Sequence, residues 1–270
     1  GSDGFTVGSN ADYNGNGNSI VSWNWKAGTS FTNDASSTGI GSIDSAGSVN
    51  TDAGFSIISY TGTGSNGTVA HGLGVAPNLM LIKARSVGNT WGVYHSSTGN
   101  TGALFLDDTS AFSSSSTYWN NTSPTSSVFT ISTNTKVNQS SATYIAYCFA
   151  EKQGYSKFGS YTGNGNADGT FVYTGFKPAF ILWKNSDAAE HWWIVDNKRT
   201  TFNPTNNLLR ADLSNAELVG NANLKLDFLS NGFKLRQTDG ALNGSGANYI
   251  YMAFAEESFV SSSGVPATAR

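Results

Sequence analysis

Phe55-Ser-Ile-Ile-Ser-Tyr-Thr-Gly-Thr-Gly64 reads again as Ser156-Lys-Phe-Gly-Ser-Tyr-Thr-Gly-Asn-Gly165. Outward from this pair the echo continues at a constant spacing of 101 residues. Gly74-Val-Ala-Pro77 returns as Gly175-Phe-Lys-Pro178, Lys83 as Lys184 and Trp91 as Trp192. Later, Ser127-Val-Phe-Thr-Ile131 answers Asn231-Gly-Phe-Lys-Leu235, and Tyr144–Glu151 answers Tyr249–Glu256. A period of this length means two copies of a domain-sized unit, too long for the short units of a solenoid. The N-terminus follows the same pattern. Asp3-Gly-Phe-Thr-Val7 matches the second half of a unit, and Asn14–Trp25 lies on Asn138–Phe149 at an offset of 124. The expected organisation is therefore 1–28 as the closing hairpin of a partial unit, 29–54 as a linker or arm, 55–154 and 155–260 as two whole units, and 261–270 as a flexible tail. The chain reads as the C-terminal piece of something longer.

The strand signal is strong. Ile145, Tyr147 and Phe149 alternate with Ala146, Cys148 and Ala150, and Ile250, Met252 and Phe254 keep the same register. Period-two alternation marks a strand with one face on a core. Asn138-Gln-Ser-Ser, Asn243-Gly-Ser-Gly and Asn14-Gly-Asn-Gly precede these strands and suit turns that need positive φ. Leu79–Ile82 and Phe180–Trp183 are apolar runs after a proline, fit for central strands. Seven or eight short strands per unit predict an all-β fold, as tandem antiparallel β-sandwich, jelly-roll-like repeats of about 100 residues. Ala211–Val219 is the one stretch read as a helical turn.

Composition agrees. Charged residues are 12% of the 270, about half the usual share, while aromatics reach 13%. The formal charge of −3 with scattered basic residues excludes electrostatic capture of nucleic acid. No apolar run approaches the length of a membrane span, so no membrane insertion is expected. Cys148 is a lone small hydrophobe.

Little in the chain suggests catalysis. His71, His95 and His191 do not coincide between the units, no Gly-x-Ser-x-Gly or His-Glu-x-x-His motif occurs, and the five Glu are scattered. Glu151 and Glu256, at equivalent strand ends, are read as partners for backbone donors. Asn164-Gly-Asn-Ala-Asp-Gly169 imitates the opening of a calcium loop, but Gly175 stands where the bidentate carboxylate belongs. No metal, no cofactor and no enzyme activity are expected. Non-repeated aromatics beside Asn are what a sugar-stacking site uses. This makes Tyr118, Trp119, Asn120 and Asn121 in the first unit, and His191 and Trp193 in the second, the candidate ligand-binding residues. If buried, Trp119 and Trp193 are core residues instead.

Several long motifs carry a resemblance. Val69-Ala-His-Gly-Leu-Gly-Val-Ala-Pro77, Val93-Tyr-His-Ser-Ser97, Tyr118-Trp-Asn-Asn-Thr-Ser-Pro124, Gly154–Gly163 and Asp227-Phe-Leu-Ser-Asn-Gly-Phe-Lys-Leu235 are similar to the C-terminal repeat region of tail-fibre-like proteins of tailed, notably marine, bacteriophages. The resemblance covers about Asp3 to Val260. It implies an extracellular place on a virion and a non-enzymatic adhesin role in host-surface attachment. The implied partners are a host receptor or polysaccharide, other virion proteins and further copies of the chain. It transfers no catalytic or ligand residue. The rival readings are a polysaccharide depolymerase domain and a purely structural fibre or decoration module.

Overall fold

The computed structural model describes residues 4–256, and the tail expected at 261–270 lies outside them. The chain is all-β, built of antiparallel sheets. The strands are β1 Thr29–Asn33, β2 Ser45–Asn50, β3 Phe55–Thr61, β4 Gly67–Ala70, β5 Leu79–Ala84, β6 Gly92–His95, β7 Gly102–Phe105, β8 Ser113–Ser114, β9 Val128–Ile131 and β10 Thr143–Phe149. They continue as β11 Ser156–Thr162, β12 Phe171–Tyr173, β13 Pro178–Asn185, β14 Trp193–Asp196, β15 Leu209–Arg210, β16 Leu226–Leu229, β17 Gly232–Leu235 and β18 Asn248–Ala255. Three one-turn helices join them: α1 Ala11–Asn14, α2 Ala35–Thr38 and α3 Thr135–Asn138.

The first unit stacks an eight-stranded sheet, β1-β2-β3-β10-β5-β6-β7-β8, on the pair β4-β9. The second stacks β11-β18-β13-β14-β15 on β12-β17-β16. Within the large sheets, β3-β10-β5-β6-β7 and β11-β18-β13-β14-β15 have the same order. Each sandwich closes on its own core. In the first, Ile58, Tyr60, Met80 and Ile82 meet Val69, Phe129 and Ile131. In the second, Tyr161, Ile181, Trp183 and Tyr251 meet Val172, Phe233 and Leu235.

Matching positions in the two cores compensate each other. Ala146 faces Ile58 across β10 and β3, while Tyr251 faces Gly159 across β18 and β11. A Cβ on Gly159 would lie 2.7 Å from the Tyr251 hydroxyl oxygen. One cross-strand pair therefore fills its space as large plus small, the other as absent plus larger, which preserves packing density. The Tyr-Thr-Gly motif is also explained. Tyr60 stacks on Tyr144 at 5.1 Å, and Tyr161 on Tyr249 at 4.8 Å. Tyr60 donates to the Val137 carbonyl and Tyr161 to that of Leu242. Beside each stack a fully buried Asn clamps the following loop. Asn138 donates to the Ser65 and Ser132 carbonyls and accepts from the Thr63 amide. Asn243 donates to the Asn166 and Gln237 carbonyls and accepts from the Asn164 amide. Asn243→Ala would remove the hydrogen bonds of a fully buried side chain to Asn164, Asn166 and Gln237, so we expect a loss of about 3 kcal/mol in urea unfolding. Asn164 and Asn166 thus serve this clamp, and Asp168 pairs with Lys234 at 2.9 Å.

The facing of the strands corrects one expectation. Tyr144, Ala146 and Cys148 point into the sandwich, whereas Phe149 and Tyr147 point out of it. In β18 likewise, Tyr249, Tyr251 and Ala253 face inward, and Ile250, Met252 and Phe254 outward. The outward faces are apolar because the two large sheets pack on each other. Phe55, Leu79, Val93 and Phe149 meet Phe158, Phe180, Leu182, Trp192 and Phe254 in a third core. Strands buried on both faces read as continuous apolar runs. Polar contacts fix this interface. The Trp192 indole N–H donates to the Phe105 carbonyl at 2.6 Å, and the His95 ring meets the Tyr251 carbonyl at 3.2 Å.

Other expectations also change. Residues 29–54 are not a linker: β1 and β2 extend the first large sheet, in register with β3. Their Ser- and Gly-rich sequence hides this, because β2 is half-buried along its length and lacks large apolar residues. Ala211–Val219 is not helical; the Leu208 and Leu218 backbones bridge instead. Glu151 and Glu256 hold Lys157 and Lys177 in ion pairs rather than backbone donors. Phe5–Val7 and Ile20–Trp25 form no hairpin. The turn-forming Asn runs do supply positive φ, at Gly17, Ser141 and Gly246.

Candidate functional site

The structure separates the residues expected to bind sugar. Trp119 is 1% exposed, Trp193 4% and Tyr118 5%. All three are core residues, since a ring sealed from water cannot stack on a glycan. Trp119 donates its indole N–H to the Gly102 carbonyl at 2.8 Å and meets Tyr94 edge-on. Trp193 stacks on Trp183, with the Arg210 guanidinium 4.9 Å from its ring. Asn120 and Asn121 are exposed in a left-handed turn, at φ 50° and 49°. Asn120 accepts from the Asn66 amide. His191 is half-buried, 2.6 Å from the Asp212 carboxylate, which also receives the Trp192 amide. No Ser, Thr or Cys hydroxyl or thiol is hydrogen-bonded to His191 among the described residues. These six residues form no common surface.

A different site is built where the two units differ. The β6–β7 connection spans residues 96–101, but its counterpart between β14 and β15 spans 197–208. This longer loop carries Phe202, 83% exposed and the most exposed large hydrophobic among the described residues. Its base is fixed. The Asn203 side chain donates to the Phe228 carbonyl and accepts the Phe228 amide, both at 2.9 Å. Thr205, 1% exposed, exchanges backbone hydrogen bonds with Leu226. The loop is thus stitched to β16, and Phe202 stands at its tip.

Phe202 borders a cleft of about 390 Å³ lined by Lys177, Asn197, Lys198, Thr200, Asn203, Phe228 and Glu256, among others. Lys177 and Glu256 pair at 2.6 Å, and Glu256 also accepts from the Asn197 amide at 2.8 Å. The Asn197 Oδ1 is buried without a hydrogen-bond partner. The Lys198 ammonium has no carboxylate partner among the described residues. An aromatic face and a free cation therefore border one cleft of ligand-binding size, while the Asn197 Oδ1 is sealed from it.

The sequence hid this cleft. Phe202 stands in the run Thr200-Thr-Phe-Asn-Pro204 without neighbouring aromatics, and an exposed Phe looks like a core Phe in one dimension. The available signal was the extra loop length beside an otherwise regular spacing.

Among the described residues, no group of three His, Cys, Asp or Glu side chains is placed to hold a metal. No helix there is long and apolar enough to cross a membrane.

One protein family, described as a domain of unknown function and labelled DUF7483, matches residues 1–258. The chain belongs to that family. No curated protein and no solved structure matches this DUF7483 chain.

Proposed function

We propose that this chain is a non-catalytic attachment module that binds a surface polysaccharide, as part of a virion tail fibre. The observation that carries the binding reading is Phe202, held exposed on an anchored loop beside a polar cleft. A pyranose ring presents a patch of C–H groups that covers an aromatic face, and its hydroxyls pair with exposed polar groups of the cleft lining such as the Thr201 hydroxyl and the Lys198 ammonium. Lys198 suits a sugar bearing a carboxylate or sulfate. Because the loop is pre-anchored, little ordering entropy opposes binding. The site also lies on a loop that differs between two otherwise matching scaffolds, where binding residues concentrate. The placement on a tail fibre is supported by the resemblance of the sequence motifs.

The test is binding of the purified chain to acidic and neutral bacterial polysaccharides by affinity electrophoresis. Phe202→Ala should weaken binding at least about tenfold, the scale of one lost stacking contact, with unchanged melting temperature. Lys198→Gln should weaken binding only to acidic sugars. Equal binding by Phe202→Ala and the parent would refute the site. Release of new reducing ends would favour a depolymerase instead.

A further inference from the structure

Three segments of the chain send the same sequence position into the central aromatic core. Trp25, Phe149 and Phe254 end three matching runs, Ile20–Trp25, Tyr144–Phe149 and Tyr249–Phe254. Their rings meet pairwise, at 5.9 Å for Trp25 and Phe149, 5.4 Å for Trp25 and Phe254, and 6.1 Å for Phe149 and Phe254. The N-terminal segment thus occupies a third position around a shared hub.

Its local structure is also that of the matching segments. Asn10 caps α1 as Asn134 caps α3, with φ/ψ of −68/132° and −68/131°. Gly17 takes positive φ where Ser141 and Gly246 do. Along residues 21–27, Val21, Trp23, Trp25 and Ala27 are half-buried while Ser22, Asn24 and Lys26 are exposed. That is the alternation of a strand with one face covered. The uncovered side is the one that forms the sandwich core elsewhere. Phe5, Val7 and Ile20 are 63%, 38% and 53% exposed, whereas their counterparts Phe129, Ile131 and Tyr144 are fully buried.

The contacts between units follow a cyclic order. His95 of the first unit reaches Tyr251 of the second. Asp196 occupies the position of His95 in the second unit, and its ion-pair partner Arg199 lies 5.9 Å from the Trp23 ring. In the opposite sense, Trp192 donates to Phe105 of the first unit. The matching Trp91 stacks on Tyr147, but its indole N–H has no acceptor among the described residues.

We infer that residues 4–25 are the closing strands of a third β-sandwich, arranged with the other two about a pseudo-threefold axis through the Trp25–Phe149–Phe254 hub. Its bare face is the docking surface for the opening half of a sandwich of the same kind. That partner brings strands equivalent to β3 and β5 to either side of Ile20–Trp25, and one equivalent to β4 beside Phe5–Val7. It also brings the carbonyl for Trp91. A second copy of this chain does not fit, because its β3 and β5 already flank its own β10.

The test extends the whole chain by placing a copy of residues 55–126 ahead of Asp3, so that residues 3–25 complete a sandwich. Hydrogen exchange at Phe5–Val7 and Ile20–Trp25 should slow at least about 100-fold relative to the unextended chain, toward the rates of β9 and β10. No slowing in an extended chain that keeps the protection of β3–β18 would overturn the inference. So would slow exchange there in the unextended chain, which would mean self-pairing. Two variants of the unextended chain test it without the extension. Trp25→Ala should lower the melting temperature, and Phe5→Ser should leave it unchanged; an equal fall in both would contradict the covered and bare faces.

Discussion

Trp119→Ala should destabilise the first sandwich by about 3–5 kcal/mol, the range for deleting a large aromatic from a packed core. Trp119 is 1% exposed and touches Tyr94 and Tyr118. Its removal opens a cavity and strips the Gly102 carbonyl of its indole donor. A typical domain has only about 5–15 kcal/mol in total, so the variant should unfold at markedly lower urea concentration. Trp119→Phe, which loses the hydrogen bond but retains a ring, should cost about half as much. Urea titration followed by near-ultraviolet circular dichroism measures both. If Trp119→Ala instead keeps wild-type stability and loses polysaccharide binding, its placement in the core is wrong.

Acid should loosen the joint between the two units before it titrates the surface. His95 is 1% exposed, with its Nδ1 accepting the Ser97 amide, so the neutral ring donates from Nε2 to Tyr251. Burial pushes its pKa down from 6.5 to about 4. The unfolded chain therefore takes up a proton near pH 6.5 that the folded chain refuses until about pH 4. Stability from this group is complete above pH 6.5 and falls as the pH drops through that window, by about 1.4 kcal/mol per pH unit and about 3 kcal/mol in all. His71, fully buried and shifted in the same direction by desolvation, adds to the loss. Asp34, Asp108 and Asp168 are held below the ordinary 3.8 by hydrogen bonds, the last mainly from Lys234. They act at lower pH. Urea midpoints at pH 7.5, 5.5 and 4.5 measure the effect. His95→Gln, whose amide can still donate to Tyr251, should flatten the dependence; an undiminished slope would remove His95 as its cause.

The β content, the matching strand runs and the turns at Ser141 and Gly246 were legible in the sequence, because period-two patterns and Asn/Gly/Ser runs report local geometry. The facing of β10 was not. With Ile, Tyr and Phe on one side and Tyr, Ala and Cys on the other, both faces are apolar, and hydrophobicity alone cannot rank two cores. The site suffered the same ambiguity in reverse. Trp119 beside Asn120 and Asn121 looks like a binding patch, yet the chain turns just after Trp119 and leaves the amides outside. Phe202 gave no sign of exposure, since burial depends on what the rest of the chain covers.

The N-terminal segment divides the two kinds of information most clearly. By itself the sequence determined the Asn10-capped turn of α1 and the positive φ at Gly17, because capping and turn preferences act over four or five residues. Whether Ile20–Trp25 becomes a paired strand was decided by tertiary structure. A strand satisfies its backbone groups only through neighbours far away in sequence. Here the hub supplies a covering for Trp23 and Trp25, but among the described residues no segment pairs with Ile20–Trp25 as β3 pairs with β10 and β11 with β18.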